Sequence, residues 1–246
     1  MSRTASYRGV SFDSLGLMIN KTIVPPCGAS KRQTISIPDG PVIIEDTKTR
    51  NPIEINIECT LIEDNKLRDI YALVQEEGKL TIPDEPGKYY YGILTISTPK
   101  NIILYYNRIT VKMIAEPYAY ADDEHNPEIL CTLTPINWYK YSVVTNTGTA
   151  PAEPVYRITT ENDVTDFDLW VVHNDDKVAG CRFENINGGA TYIINVKDRI
   201  VKDNHDNIVI NKAKDDFSKV VLLQGENSIC VSHALILNVT KNERWY

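Results

Sequence analysis

Few side chains in this sequence have the chemistry of a metal or catalytic site, and they are scattered. His125 lies in the acidic segment 122–128, and His205 lies in segment 203–206 between two aspartates. Carboxylates beside a histidine can hold a metal ion, but neither segment has a known ligand spacing, and segment 203–207 lacks the glycine and glutamate of an EF-hand. Asp and Asn also form solvated turns. We therefore favour turns at both places and expect no metal and no cofactor.

Two further patterns admit a sugar-related interpretation. Asp166 and Asp168 are two residues apart, so on a strand they share one face and could imitate the carboxylate pair of a glycosidase. Trp170 could form a platform on which a sugar ring stacks. The favoured interpretations are a solvent-facing pair and a core tryptophan, because Trp is highly buried on average. Since the sequence also lacks a Gly-x-Ser-x-Gly elbow, a Walker loop and a Gly-x-Gly-x-x-Gly motif, we predict no catalytic residues and no enzyme.

Composition narrows the class of protein further. The 246 residues include 26 basic and 33 acidic side chains, and the net charge of −7 disfavours nucleic-acid binding, which depends on clustered Lys and Arg. No secretory signal is visible, and no apolar run reaches the length of a membrane span. The five cysteines are odd in number, widely spaced and without a Cys-x-x-Cys pair. They predict reduced, mostly buried thiols in a protein made in the cytosol.

The elements that would position these side chains are mostly strands. Residues Ile53–Leu61 alternate apolar and polar side chains, which is typical of a half-buried strand. The period then changes, and a stripe of apolar residues predicts one amphipathic helix over about 65–77, with Asp64 as its N-cap and Gly78 as its C-terminal stop. The residues of this stripe are Leu67, Ile70, Tyr71 and Val74.

Beyond Trp138 the predicted secondary structure changes. Only short predicted strands separated by turn residues follow, a spacing typical of a β-sandwich. The segment 146–154 is the most linker-like stretch. We therefore predict a mainly β protein with a boundary near 135–150: an N-terminal β domain with one α-helix at residues 1–138, and an all-β domain at residues 139–246.

Several short motifs follow one another in an order that resembles a known family. Each is weak alone, but their order, their spacing and the total length together resemble the distal tail proteins of long, non-contractile-tailed phages, the siphovirus tail-component family. The motifs are Gly9-Val10-Ser11-Phe12, Gly78-Lys79-Leu80, Asp84-Glu85-Pro86-Gly87-Lys88-Tyr89-Tyr90, Gly148…Pro151…Pro154, Asp216-Phe217, Leu223-Gln224-Gly225-Glu226-Asn227-Ser228-Ile229 and Arg244-Trp245-Tyr246.

The resemblance implies both a fold and a function. An N-terminal β-barrel-like or sandwich-like domain with one helix would assemble into a six-membered ring, and the C-terminal domain would be a galectin-like sandwich. Such a hub, located at the virion tail tip and assembled in the bacterial cytoplasm, would join the tail tube protein to tail-tip components and receptor-binding proteins. DNA would pass through its channel only as cargo, and no membrane insertion is implied.

Tyrosines are the expected contact residues of such a ring. The chain has 14 Tyr against 4 Phe, and tyrosine tolerates one wet end, as interface positions require. The alternative interpretation is that these tyrosines lie at the edge of the core of their own domain. The interface prediction comprises Tyr89, Tyr90, Tyr91, Tyr105 and Tyr106.

A glycan-binding adhesion module that contacts the host cell wall is the alternative function, with Trp170 as its sugar platform. The galectin-type pattern His-x-Asn-Pro-Arg is not met, since Glu128 follows His125-Asn126-Pro127 and Asp175 follows His173-Asn174. The hub is therefore the favoured function.

Overall fold

The computed structural model describes residues 4–26, 28–36, 42–233 and 235–246, and the chain divides into two compact units. Unit 1 comprises Met1–Asp122 together with Tyr246, and unit 2 comprises Asp123–Trp245. This division lies earlier in the chain than the predicted boundary between residues 138 and 139. The reason is that the strands at 128–131 and 134–136 pair with strands of unit 2.

Unit 1 is a β structure with two α-helices among its described residues. The helices are α1 (Leu67–Leu73) and α2 (Lys100–Tyr106). The strands are β1 (Ser6–Tyr7), β2 (Val10–Ser11), β3 (Leu17–Ile23), β4 (Ser30–Ser36), β5 (Val42–Arg50), β6 (Ile53–Leu61), β7 (Glu77–Thr81), β8 (Lys88–Ile96), β9 (Arg108–Ala115) and β10 (Ala119–Ala121).

The main sheet of unit 1 runs in the order β2-β1-β7-β8-β9-β6-β3, β10 pairs with β8, and β4 and β5 form a separate antiparallel pair. The alternation that predicts the strand Ile53–Leu61 fixes which face is buried, because its odd-numbered residues are all buried. Their neighbours across the sheet, including Val111 and Met113 on β9, are buried on the same face. Cross-strand burial of this kind gives unit 1 its core.

The helices differ from the prediction in two ways. The helix predicted over about 65–77 ends at Leu73, and Gly78 is not its C-terminal stop but a residue of β7 that pairs with Gly92. The expectation of a single α-helix is wrong, because α2 forms between Pro99, which occupies its N-cap, and Asn107, which adopts the left-handed conformation at its C-cap with φ of 52°. The side chain of Asp64, the predicted N-cap, lies outside the described residues.

The strands of unit 2 are β11 (Glu128–Cys131), β12 (Thr134–Ile136), β13 (Tyr139–Asn146), β14 (Val155–Thr159), β15 (Val164–His173), β16 (Asp176–Ile186), β17 (Thr191–Asn195), β18 (Ile200–Lys202), β19 (Gly225–Val231), β20 (Ile236–Thr240) and β21 (Arg244–Trp245). Ten of them form two five-stranded antiparallel sheets, in the orders β11-β20-β14-β17-β18 and β12-β13-β19-β15-β16, and β21 lies in neither.

The two sheets of unit 2 share one apolar core. Phe167 of β15 stacks on Phe183 of β16 with ring centroids 5.0 Å apart. Tyr156 of β14 is fully buried, and its hydroxyl donates a hydrogen bond to the carbonyl of Val220 at 3.1 Å, so its one polar atom is satisfied. Burial of both inner faces against each other is the arrangement of a β-sandwich. The prediction of a mainly β fold is thereby confirmed.

The cysteines that the structure describes are buried, as the sequence predicts. Cys59 lies in the core of unit 1, and the others lie in unit 2. Burial raises the pKa of the Cys59 thiol to about 12 and those of Cys181 and Cys230 to about 11, which keeps these thiols protonated and unreactive. Cys27 lies outside the described residues.

Candidate interaction surfaces

Helix α2 of unit 1 exposes an apolar surface, which we call the α2 patch. Tyr105 is 80% exposed and Tyr106 is 61% exposed, and their rings meet edge to face with centroids 4.8 Å apart. Large apolar side chains on a surface mark interaction sites when they are contiguous. The patch consists of Ile102, Leu104, Tyr105 and Tyr106.

The backbone around α2 holds the patch in place. Ile103 is fully buried and anchors the helix, while the amides of Ile102 and Ile103 donate to the carbonyl of Pro99. At the other end, the amide of Leu61 donates to the carbonyl of Asn107 at 2.7 Å. Ile62, which follows Leu61, is also exposed. The patch is therefore carried by a helix that the buried Ile103 anchors and that a hydrogen bond to β6 holds at its C-terminal end.

The structure places the other three predicted interface tyrosines on β8. Tyr90 is buried and donates a hydrogen bond to the Glu85 carboxylate at 2.9 Å, so its ring belongs to the core of unit 1. Tyr89 is half-buried and stacks on Tyr120 at 5.5 Å. Tyr91 is half-buried and lines a shallow apolar groove of about 380 Å³ together with Pro52, Ile93, Ile114 and Pro117. Only Tyr105 and Tyr106 are strongly exposed.

Unit 2 carries a different surface, which we call the aromatic cleft. Trp138 stacks on Trp170 with ring centroids 5.5 Å apart and an interplanar angle of 26°, and Tyr139 lies within 5.5 Å of both rings. The interpretation of Trp170 as a core residue is wrong, because its neighbours Leu169 and Val171 take the inward positions of β15 and Trp170 faces outward. The cleft has a volume of about 480 Å³.

The polar wall of the aromatic cleft is a preformed ion pair. Arg182 of β16 donates two hydrogen bonds to the Asp168 carboxylate, from Nε at 2.9 Å and from Nη2 at 3.2 Å. Its Nη1 lies 3.8 Å from Asp166, and its backbone amide donates to Asp215 at 3.1 Å. The hydrogen bonds and charge of Asp168 raise the pKa of Arg182. The pair Asp166 and Asp168 thus shares one face, as predicted, but both bind an arginine.

One of the residues that line the aromatic cleft is a glycine, and the space beside it is narrow. Gly180 pairs with Trp170 across β15 and β16. A Cβ atom at Gly180 would lie 3.0 Å from the Cβ of Trp170 and 2.9 Å from Cε of Lys177, closer than side-chain carbons normally approach. A β-bulge between Val171 and Val172 follows directly along β15, and bulges re-aim the side chains around them. Side chains larger than glycine would crowd the cleft.

The remaining candidate residues form turns or lie apart. Asp203 accepts hydrogen bonds from the amides of His205 and Asn207, and the side-chain hydrogen bond from Asn207 lowers the pKa of Asp203. This is the geometry of the predicted turn. Within the described part of the chain, no group of three His, Cys, Asp or Glu side chains is placed to hold a metal ion. No helix among the described residues is long and apolar enough to cross a membrane.

Sequence reasoning named only part of each surface. It selected Tyr105 and Tyr106 by residue type but missed Ile102 and Leu104, because α2 was not predicted. It selected Trp170 as an alternative platform but assigned no sugar-binding role to Trp138, Tyr139 or Arg182. The pairing order β13-β19-β15-β16 brings these residues together, and no local signal in the sequence reports that order.

Comparison with known proteins supports the class of fold that the two units define. No family model matches the chain, and no curated protein is similar to it in sequence. Among solved structures, the crystal structure of the SPP1 Dit protein, described as a paradigm of the hub adsorption apparatus in phages that infect Gram-positive bacteria, superposes with a TM-score of 0.73. The identity is 14%, and the match covers 100% of both chains.

Two chains from structures of the phage P2 baseplate in its activated conformation are also similar. The calcium-bound structure gives a TM-score of 0.44 at 10% identity, covering 99% of both chains. The strontium-bound structure gives 0.47 at 9% identity, covering 97% of this chain and 98% of that chain. The fold assignment rests on the SPP1 Dit structure alone. The chain has the fold of that protein, so the resemblance predicted from the sequence is confirmed at the level of fold.

Proposed function

We propose that this protein is a phage or prophage distal tail protein, a structural hub at the tip of a siphovirus-type tail. The observation that supports this most strongly is the full-length likeness to the SPP1 Dit protein, which spans both units rather than one common sandwich module. The hub would consist of six copies in a ring around a channel. It would act by assembly, without catalytic residues or a cofactor.

The α2 patch of unit 1 is our candidate for the joint between neighbouring copies. A closed ring needs two different surfaces on each copy that meet head to tail. Such interfaces have an apolar core enriched in aromatic residues, and the patch supplies exposed tyrosine rings beside aliphatic side chains. The apolar groove beside Tyr91 is another exposed apolar feature of the same unit, and it is a candidate for the opposite surface of the joint.

The proposed partners are the tail tube protein, a tail-tip or tail-associated protein, and a receptor-binding protein. DNA would be passing cargo rather than a ligand. The net charge of −7 supports this, because a surface of like charge repels the DNA phosphates and lets the duplex pass. The ring role is proposed for unit 1, and a sandwich that presents a surface to other tail parts is proposed for unit 2.

Localisation in the virion tests the proposed function. The protein is expected to be made and assembled in the bacterial cytoplasm and retained in the mature particle. Particles of the phage that encodes it would be labelled with a gold-conjugated antibody raised against the purified protein and imaged by electron microscopy. Label at the tail tip supports the hub, whereas label along the tube, or particles without label, contradicts it.

A further inference from the structure

The aromatic cleft of unit 2 combines flat apolar faces with charged hydrogen-bonding groups, unlike the α2 patch. Trp138 is 69% exposed, and it stands on Trp170 with Tyr139 at its edge. The face of an aromatic ring carries partial negative charge. The ligand that suits such a face is a flat or ring-shaped molecule whose C–H bonds point at it.

The polar wall defines what else the ligand must carry. Asp168 and Arg182 are held in a bidentate pair, which fixes the directions of their remaining hydrogen-bonding atoms. The Arg182 side chain is 50% exposed and the Asp168 side chain 37% exposed, so a ligand can reach both. A carboxylate only accepts hydrogen bonds and a guanidinium only donates them. Neighbouring hydroxyl groups, which do both, match this pair; a purely apolar ligand would leave it desolvated.

Charge and size narrow the ligand class further. Two acidic side chains (Asp168 and Asp215) and two basic ones (Lys177 and Arg182) line the cleft, so its formal charges balance and favour a ligand without net charge. The volume of about 480 Å³ lies within the range of small-molecule sites, and it is too small for a protein helix, which is about 10 Å across. Gly180 keeps this space open.

We propose that the aromatic cleft is a binding site for a neutral saccharide, with one sugar ring stacked on Trp138 and its vicinal hydroxyls bonded to Asp168 and Arg182. Trp170 and Tyr139 position the Trp138 ring. This gives the glycan-binding alternative a defined site of its own, one that does not use the galectin-type pattern absent from the sequence. The site adds to the hub function and requires no change in it.

The test is a calorimetric titration of the full-length protein with lactose, cellobiose, N,N′-diacetylchitobiose and mannobiose, with tryptophan fluorescence as a second readout. We expect at least one disaccharide to bind and to shift the fluorescence. Trp138→Ala should lower the affinity for the bound disaccharide about tenfold or more, and Asp168→Asn should also weaken it. Trp138 is exposed, so its truncation leaves the core intact.

Tyr105→Ala is the matched control, because it removes an even more exposed aromatic ring from unit 1 and should leave saccharide affinity unchanged. The proposal is overturned if none of the four disaccharides binds, or if Trp138→Ala binds as tightly as the wild type. It is also overturned if Trp138→Ala abolishes binding of another tail protein while no sugar binds, since the cleft is then a protein-docking surface. Each result is independent of ring formation.

Discussion

Unit 1 and unit 2 are both antiparallel β structures around apolar cores, but their surfaces differ in kind. The α2 patch of unit 1 exposes tyrosine and aliphatic side chains on a helix. The aromatic cleft of unit 2 sets its tryptophans beside the bidentate ion pair of Asp168 and Arg182. An apolar patch gains most from contact with another apolar protein surface, whereas charged groups beside exposed rings suit a small polar ligand. We therefore propose that similar strands support two different kinds of recognition.

The division into units is tested most strongly by a substitution that leaves a cavity in the core of one unit. Phe167→Ala should destabilise unit 2 by about 4 kcal/mol, because Phe167 is buried and stacked on Phe183 and its loss leaves a cavity. Hydrogen–deuterium exchange resolved by peptide should show protection lost in unit 2 and retained in unit 1. Ile208→Ala, an exposed position of the same unit, is the control. Equal loss of protection in both units would mean that they do not fold separately.

Removing the α2 patch should have the next largest effect. The double variant Tyr105→Ser/Tyr106→Ser should weaken self-association about a hundredfold, roughly 3 kcal/mol, because exposed aromatic rings at interfaces carry a large share of the binding energy. Sedimentation velocity over a range of concentrations measures this. Trp138→Ala should assemble like the wild type. If the double variant and Trp138→Ala self-associate equally, the α2 patch and the aromatic cleft do not differ in their role in assembly.

A buried carboxylate makes unit 2 sensitive to acid. Glu243 is 4% exposed and accepts hydrogen bonds from Lys241 at 2.7 Å and from the amide and hydroxyl of Thr147. Burial raises the pKa of Glu243, but these hydrogen bonds outweigh it and hold the pKa below the usual 4.5. The stabilisation is therefore present above pH 4.5 and is lost as the pH falls through the lower pKa of the folded state.

Glu243→Gln should consequently cost unit 2 about 2 kcal/mol at neutral pH, because it removes charge-assisted hydrogen bonds. Its melting temperature should also fall less on acidification than that of the wild type. Glu226→Gln, at an exposed position, is the matched control and should melt like the wild type at every pH. An unchanged acid response in Glu243→Gln would assign the acid sensitivity to other groups.

The smallest effect on stability is expected when an exposed ring is removed from the aromatic cleft. Trp138→Ala should change the free energy of unfolding of unit 2 by no more than about 0.5 kcal/mol, because the ring is mostly exposed. Chemical denaturation measures this. A loss above about 2 kcal/mol would show that the stacked tryptophans serve stability rather than recognition.

The strands were predictable because their signal is local. Strict alternation predicts β6 with the bounds that the structure shows, and the short runs between turn residues beyond Trp138 predict the all-β character of unit 2. The helices were less predictable. Segment 100–106 is rich in isoleucine and tyrosine, which favour strands, and only Pro99 and Asn107 mark its ends. The predicted helix is also too long at its C-terminal end, because Glu77 pairs with Ile93 of β8 in the sheet.

The surfaces were predictable in part, for the same reason. Residue type alone indicates that exposed tyrosines favour contacts, but it does not distinguish the buried Tyr90 from the exposed Tyr105. The stacking of Trp138 on Trp170 joins residues that are distant in sequence, through the intervening strand β19. A register of this kind depends on the whole sheet, so the cleft becomes visible only in the folded chain.

Self-assembly through unit 1 is tested most directly by the absolute mass of the purified protein, measured by light scattering over rising concentration. The wild type and Trp138→Ala should reach six times the chain mass of 27.8 kDa, while Tyr105→Ser/Tyr106→Ser should reach it only at about a hundredfold higher concentration. A wild-type protein that stays at 27.8 kDa at every concentration, or a double variant that assembles equally well, would contradict the proposed ring and its joint.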